Sequence, residues 1–249
     1  MKIPRSLKRL GSSLLIGGQA IAATMRCRVN IVELSDQLLE TGPGSLLIVL
    51  IISLAVGSVF NIQVAAELTR QGAASTIGGI LAIGLAREIA PLLTACLLAG
   101  KVATAYAAQL GAMKVTEQID AITMLRTDPV EYLVVPRLIA LVVMAPLQCF
   151  FFFIVAIWSG HITSTAVYSI PPTVFWTSVR TWIDLQDLLL MLVKATVFGL
   201  IIAIIACGWG LTTEGGPKEV GTSTTGAVVT ILVLVCIMDV VLTQVLFSA

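Results

Sequence analysis

Charged side chains lie inside three long apolar stretches of the sequence: Arg87 and Glu88 in one stretch, Lys194 in a second and Asp239 in a third. A charged group in the hydrocarbon core of a membrane costs roughly 2.5–3.5 kcal/mol even on the lenient insertion scale, so such groups face protein or water. Adjacent residues on a helix point about 100° apart, so Arg87 and Glu88 cannot pair with each other. We predict that Lys194 pairs with Glu88 or Asp239.

This group of charges has two interpretations. In the first, the ion pairs are inert and only fix how the helices assemble, as buried pairs often do. In the second, they form a polar layer in a cavity that takes part in transport. Pro91 favours the second interpretation, because it leaves the carbonyl of Arg87 without its helical donor and predicts a kink, and broken helices of this kind line cavities.

The elements that carry these residues belong to a membrane protein. Of 249 residues, 57% are hydrophobic and 12% are charged, whereas about 25% are charged in soluble domains. The net charge is +1. This composition excludes a soluble enzyme, a disordered chain and a nucleic-acid-binding protein, which need more polar surface or a basic field. Five scattered cysteines and one histidine predict neither a disulfide framework nor a metal site.

We predict an all-α integral membrane protein in which residues 41–249 form one domain of five transmembrane helices. The apolar stretches cover approximately residues 44–64, 78–108, 133–160, 186–211 and 222–247. Each exceeds the ~20 residues that cross a bilayer. At about 1.5 Å per residue, Glu88 lies ~15 Å from one membrane edge, and Lys194 and Asp239 lie ~12 Å from the same edge. The sequence therefore places these charges in one layer.

Residues 1–40 are predicted to form a membrane-surface region with an amphipathic interfacial helix. The first 28 residues contain no acid, and their basic and apolar side chains recur as in a helix on an anionic membrane. The basic residues are Lys2, Arg5, Lys8, Arg9, Arg26 and Arg28, and the apolar ones are Leu7, Leu10, Leu14 and Ile21. A short plastid transit segment is the alternative interpretation. Because basic residues outside the spans concentrate on the N-terminal side, the positive-inside rule places the N-terminus in the cytoplasm and the C-terminus outside.

Small residues recur at every fourth position near the end of the second span. They are Ala99, Ala103, Ala107 and Gly111. Such a face allows two helices to approach closely, either within the chain or across a homodimer.

Between spans two and three, the polar segment 113–125 is predicted to be a short cytoplasmic amphipathic helix. Val115, Ile119, Ile122 and Leu125 recur at helical spacing, and Asp128-Pro129 is a stop signal. One interpretation is a docking helix for a cytoplasmic partner. The other is a solvated helix that only joins two spans.

Motifs for enzymatic chemistry are absent from the sequence. It contains no G-x-x-x-x-G-K-[ST], no G-x-S-x-G and no H-E-x-x-H. We therefore expect no catalytic residue and no cofactor in this chain, and active transport requires a separate ATPase subunit.

Residues 86–137 resemble the MlaE/YrbE permease family, membrane subunits of the Mce-associated ABC transporters that move phospholipids or other lipids. The resemblance rests on three motifs in order: R-E-x-x-P-[LV]-L-T-A-x-L-x-A-G, M-K-V-T-E-Q-I-D-A and D-P-x-x-Y-L-V-x-P-R. It continues through the last two spans and has a cyanobacterial or plastid-like character. Lys101 stands where many members have arginine, and Gln109 stands where the family usually has glutamate.

The resemblance implies a homodimer in a bacterial inner membrane or, alternatively, a plastid inner envelope. Two cytoplasmic ATPases that bind ATP-Mg dock below, and a ring of Mce-domain proteins stands outside in the periplasm. Met113–Leu125 is similar to the helix that couples to the ATPase. The coupling residues that this implies are Lys114, Glu117, Gln118 and Asp120. The intramembrane charges that it implies to be functional are Arg87, Glu88, Lys194 and Asp239.

Two further functions compete with a lipid permease. An ion-coupled secondary carrier would use the intramembrane carboxylates for protons or cations, but no inverted repeat is evident and segment 113–125 would have no role. A non-transporting scaffold for an ATPase would tolerate alanine at Glu88, Lys194 and Asp239.

Overall fold

A computed structural model describes residues 5–24 and 31–247 of the chain. In this part, every regular element is a helix. The α-helices are α1 (Arg5–Thr24), α2 (Ile31–Thr41), α3 (Pro43–Arg70), α4 (Ile77–Gly84), α5 (Ala90–Leu98), α6 (Thr104–Val115), α7 (Gln118–Met124), α8 (Val135–Tyr168), α9 (Pro172–Trp182), α10 (Leu185–Leu211) and α11 (Pro217–Phe247). This confirms the predicted all-α class.

Five helical stretches are long and apolar enough to cross a membrane. They are Ile31–Arg70, Ala74–Val115, Val130–Tyr168, Leu185–Leu211 and Pro217–Leu246. Their number agrees with the prediction, and their helices extend beyond the apolar stretches read from the sequence. The chain is therefore a multi-pass membrane protein.

Wider π-helical turns interrupt the second stretch at two places and begin the third. They cover Leu85–Ile89, Ala99–Ala103 and Val130–Val134. The first contains Arg87 and Glu88 and precedes Pro91, so the disturbance that the proline predicted takes the form of a π turn. Such turns are rare in helices and are frequent at functional sites.

The described residues divide into two compact units. Unit 1 lies within residues 1–45, 95–145 and 196–238, and unit 2 lies within residues 46–94, 146–195 and 239–249. Five of the helices contribute residues to both units, because the division falls inside α3, α5, α8, α10 and α11.

In unit 1, α1 packs against α10 through small residues. A Cβ atom at Gly17 would collide with the side chain of Ile204, and one at Gly208 would collide with Ser13. Leu14 and Ile21, part of the predicted apolar face, are exposed, so they are free to contact lipid. The side chains of Arg5, Leu7 and Lys8, and the whole of residues Lys2, Arg26 and Arg28, lie outside the described residues. The membrane-surface position of α1 stays a prediction.

The small-residue face also lies in unit 1. Its three alanines are fully buried and Gly111 is buried as well. A Cβ at Gly111 would lie 3.3 Å from Thr213 and Val220, and one at Gly210 would lie 3.2 Å from the carbonyl of Ala107. This face is therefore buried inside the chain, and its end at Ala107 and Gly111 packs against the end of α10 and the start of α11.

In unit 2, α3 approaches α8 closely where Gly57 meets the backbone of Ala156. Polar side chains join the two helices beside this contact: Ser58 to Ser159 at 2.9 Å, and Asn61 to Ser164 at 2.9 Å. Small residues with interhelical hydrogen bonds are the usual means of helix association in lipid.

Candidate functional site

Lys194 is the centre of an ionic cluster in unit 2. Its ammonium group is fully buried and lies 2.8 Å from Asp239 Oδ1 and 3.3 Å from Glu88 Oε2. Both partners that the sequence offered are therefore in contact with it. Thr243, one turn after Asp239 on α11, completes the cluster: its hydroxyl accepts from Lys194 at 2.8 Å and donates to Glu88 Oε1 at 2.8 Å.

Pro91 explains how the backbone joins this cluster. Because proline has no N–H, the carbonyl of Arg87 lacks the donor that a regular helix would supply. Lys194 Nζ donates to this carbonyl at 2.8 Å. Lys194 therefore supplies the hydrogen bond that the carbonyl of Arg87 lacks. Four oxygen atoms surround its ammonium group: this carbonyl, the Thr243 hydroxyl and one oxygen each from Glu88 and Asp239.

Arg87 has a different ionic partner from the other charges. Its Nε donates to Asp187 Oδ1 at 2.9 Å, at the N-terminal end of α10. The sequence analysis missed Asp187 because it lies at the edge of an apolar stretch. The signal that could have found it is its position seven residues, or two helical turns, before Lys194.

Asp187 also changes the charge of the site. The sequence analysis singled out two bases and two acids, whereas the structure brings together two bases and three acids, Glu88, Asp187 and Asp239. With all groups ionised, the formal charge is −1. The side chains of Arg87 and Glu88 are each 40% exposed, while that of Lys194 is not exposed at all. The cluster thus has a buried base and an accessible pair of opposite charges.

The prediction of one helix over residues 113–125 is wrong, because the structure divides this segment between two helices. Helix α6 ends at Val115, and α7 begins at Gln118. Glu117, between them, has φ of 60° in the left-handed region, which a helix cannot contain. Lys114 spans the break with a 2.9 Å ion pair to Asp120.

The apolar face predicted for this segment is also divided. Ile119 is buried, but Leu125, which the spacing placed on the same face, is 78% exposed, and Met124 is 86% exposed. The break at Glu117 turns α7 so that its end presents two large apolar side chains to the surroundings.

A second polar network lies in unit 1 around Arg137, which is 4% exposed. Its guanidinium donates to the carbonyl of Leu133 at 2.7 Å and to Gln109 Oε1 at 3.2 Å, and lies over the ring of Tyr106. Gln109 in turn donates to Glu40. Lys101 donates to the carbonyl of Gly44.

Among residues 5–24 and 31–247, no group of three or more His, Cys, Asp or Glu side chains is placed to hold a metal ion. The donors of the ionic cluster are already engaged with a lysine and an arginine.

Fold and site together define an integral membrane protein with five helical spans and ionic groups within them. The chain belongs to the MlaE permease family: residues 34–245 match the family described as Permease MlaE. The resemblance seen in the motifs is thereby confirmed.

Similar proteins occur in cyanobacteria and plastids. A probable ABC transporter permease protein of Synechocystis is 46% identical, over 97% of this chain and 92% of its own length. The protein TRIGALACTOSYLDIACYLGLYCEROL 1, chloroplastic, of Arabidopsis thaliana is 40% identical, over 94% of this chain and 67% of its own. The probable ABC transporter permease protein ycf63 of Pyropia yezoensis is 36% identical, over 100% of this chain and 94% of its own length.

Proposed function

We propose that this chain is the membrane permease subunit of an ABC transporter that moves phospholipid or a related lipid between membranes. The observation that carries the proposal is the Lys194 cluster, an ionic centre within apolar helices, in a member of the MlaE permease family. ATP-Mg binds to a separate ATPase, which is also what the names of the cyanobacterial and algal relatives imply.

The substrate is amphipathic. Its headgroup meets the accessible pair Arg87 and Glu88, and its acyl chains lie along the aliphatic walls of the spans. A group with both a base and an acid in reach suits a phosphate with a neighbouring ammonium or hydroxyl groups, since each charge can be satisfied on the protein. The Arabidopsis relative carries the name of a galactolipid, which supports a lipid substrate.

The ATPase docks on the cytoplasmic segment 113–125. Met124 and Leu125 supply the apolar contact, and Lys114 with Asp120 holds α7 in position across the break. Two exposed apolar side chains at the end of a short helix can insert into a groove on a partner protein. The span Ala74–Val115 carries Glu88 and ends at this segment, so the same stretch of chain leads from the docking surface to the ionic cluster.

The transporter contains two copies of this chain, two ATPases and a ring of Mce-domain proteins outside the membrane. Support for the homodimer comes from α11, the span with the least buried surface. One apolar face of this helix is exposed along its length: Val229, Val233, Ile237, Val240, Val241 and Val245. Two copies of such a face can line a chamber between them or cover each other.

We infer a bacterial inner membrane, with the N-terminus in the cytoplasm and the C-terminus in the periplasm. The basic N-terminal region supports this orientation through the positive-inside rule. A plastid inner envelope is the alternative, which the chloroplastic relative supports.

The test is lipid transfer by the complete complex in liposomes. We expect transfer of a fluorescent phospholipid to need ATP hydrolysis and to be insensitive to a protonophore. Transfer that a protonophore abolishes and that does not need ATP would instead identify an ion-coupled carrier. Asp120→Asn should uncouple ATP hydrolysis from transfer, while the exposed Asp36→Asn, with the same loss of charge on α2, should not.

A further inference from the structure

Helix α9 has no role in the proposed function and was not predicted from the sequence. It begins after Pro171 and connects the third and fourth spans without crossing the membrane. Two adjacent glycines let it lie directly on α4: a Cβ at Gly78 would collide with the backbone of Phe175, and one at Gly79 would collide with Trp182. Ser178 accepts from the backbone N–H of Gly79 at 2.9 Å, which fixes the position of α9.

The other side of α9 forms one wall of a groove of about 380 Å³ with α8 and α10. This volume lies in the range of small-molecule sites, roughly 300–1,000 Å³. The floor is aliphatic and aromatic, and includes Phe153, Ile157, Trp176 and Leu188. Arg180 is the one charged residue among the nine that line the groove.

Arg180 has no ionic partner in the part of the chain that the structure describes. Its side chain is exposed, and Trp158, on the opposite wall, is 56% exposed. Tryptophan concentrates at membrane–water interfaces, where its ring bridges apolar and polar surroundings. The groove therefore has a cation at its mouth, an interfacial tryptophan beside it and an apolar interior.

We propose that this groove binds an anionic phospholipid, with one acyl chain along the apolar floor and the phosphate at Arg180. The charge pattern selects this occupant: an unpaired guanidinium attracts a phosphate, which it binds through two parallel hydrogen bonds. The site is separate from the Lys194 cluster, so it holds a lipid bound to the flank of the protein, whatever lipid is transported.

The experiment measures fluorescence quenching of the full chain in nanodiscs by phospholipids brominated on the acyl chain. Trp182→Phe and Trp209→Phe leave Trp158 and Trp176, both at the groove, as the emitting tryptophans. Brominated phosphatidylglycerol and brominated phosphatidylcholine are compared in a phosphatidylcholine background. We expect half-maximal quenching at a mole fraction about five-fold lower for the anionic lipid, the preference that one basic residue near a membrane confers.

Arg180→Gln should abolish this preference, and Arg180→Lys should retain most of it. The matched control is Arg70→Gln, which removes another exposed cation predicted on the same side of the membrane and should leave the preference intact. Equal quenching by the two lipids in the parent protein, as expected if bulk lipid or a partner helix occupies the groove, would overturn the proposal. So would a preference that survives Arg180→Gln.

Native mass spectrometry of the chain with all four tryptophans keeps the test independent of the tryptophan substitutions. The parent protein should retain added phosphatidylglycerol over phosphatidylcholine, and Arg180→Gln should lose this selectivity. Unchanged selectivity in Arg180→Gln counts against the site. Neither measurement depends on ATP or on lipid transfer, so the result is distinct from that for the proposed function.

Discussion

Lys194 in unit 2 and Arg137 in unit 1 are both buried bases, yet the protein satisfies them in different ways. Lys194 contacts two carboxylates, a hydroxyl and a carbonyl. Arg137 contacts a carbonyl, an amide and an aromatic ring, and no carboxylate among the described residues pairs with it. A planar guanidinium can divide its charge among neutral acceptors and a ring face, whereas a compact ammonium needs counter-charges when it leaves water.

The difference indicates what each network is suited to do. The Arg137 network is centred on a buried guanidinium and links α6 to the beginning of α8, as a structural tie does. The Lys194 cluster contains an excess acid, a proline-freed carbonyl and two half-exposed charges, so its contacts can be exchanged for those of a ligand. The following predictions test this division, from the largest expected loss of stability to the smallest.

Lys194→Met should produce the largest loss. It leaves Glu88 and Asp239 together without their common base, and breaking a buried pair costs about 3–5 kcal/mol. Thermal unfolding of the purified chain in detergent measures the effect. The double variant Lys194→Met with Asp239→Asn should recover part of the loss, because it removes one of the stranded charges. If the double variant is as unstable as the sum of the single changes, the two side chains do not interact energetically.

Arg137→Met should cost less, about 1–3 kcal/mol, because it releases neutral acceptors rather than buried charges. ATP-driven lipid transfer per folded complex should stay unchanged. Arg137→Lys should not restore stability fully, since an ammonium lacks the fork that reaches both Leu133 and Gln109. A transport defect without a stability defect in Arg137→Met would show that this network is more than structural.

Glu88→Gln should change stability by only about 0–1 kcal/mol, because the side chain is 40% exposed and solvent screens its ion pair. The amide still accepts from Thr243, and Lys194 keeps Asp239. Lipid transfer should nevertheless fall, since the acid that we propose to face the substrate is lost. Glu67→Gln, at an exposed position of α3, is the matched control. Normal lipid transfer by the Glu88 variant would indicate that the cluster fixes how the helices assemble and has no part in transport.

Leu125→Ser should leave the stability of the chain unchanged, because the side chain is exposed and contributes little to the packing of unit 1. Binding of the ATPase should weaken, as measured by co-purification and by the stimulation of ATP hydrolysis. Leu15→Ser, another exposed leucine in unit 1, serves as the control and should bind the ATPase normally. Equal binding by the two variants would place the docking surface elsewhere.

The spans and the partners of Lys194 could be predicted because both follow from hydropathy and distance along a helix. Long apolar stretches mark the spans, and counting residues from their ends places charges at a depth. Asp187 was not predicted as a site residue because it lies at the edge of a span, where an acidic residue is expected to be solvated. Helix α9 was not predicted because its amphipathic segment is short and lies in a region that hydropathy identifies only as a loop.

The break in segment 113–125 could not be read from spacing either. Val115, Ile119, Ile122 and Leu125 fit one helical face, but Glu117 adopts a left-handed conformation that ends the face after Val115. A single left-handed residue costs little compared with tertiary packing, so periodicity over thirteen residues does not exclude it.

The sequence alone determined that this is a five-span helical membrane protein and that oppositely charged groups share one level within the spans. These conclusions depend on composition and on the rise per residue of a helix, which can be evaluated for one segment without knowing what it packs against. Only the tertiary structure decided that Lys194 pairs with two acids while Arg87 pairs with Asp187, that a π turn carries Arg87 and Glu88, and that α9 covers Gly78 and Gly79. These depend on the rotation and close approach of whole helices, and the apolar pattern of a membrane span is too uniform around its axis to encode them.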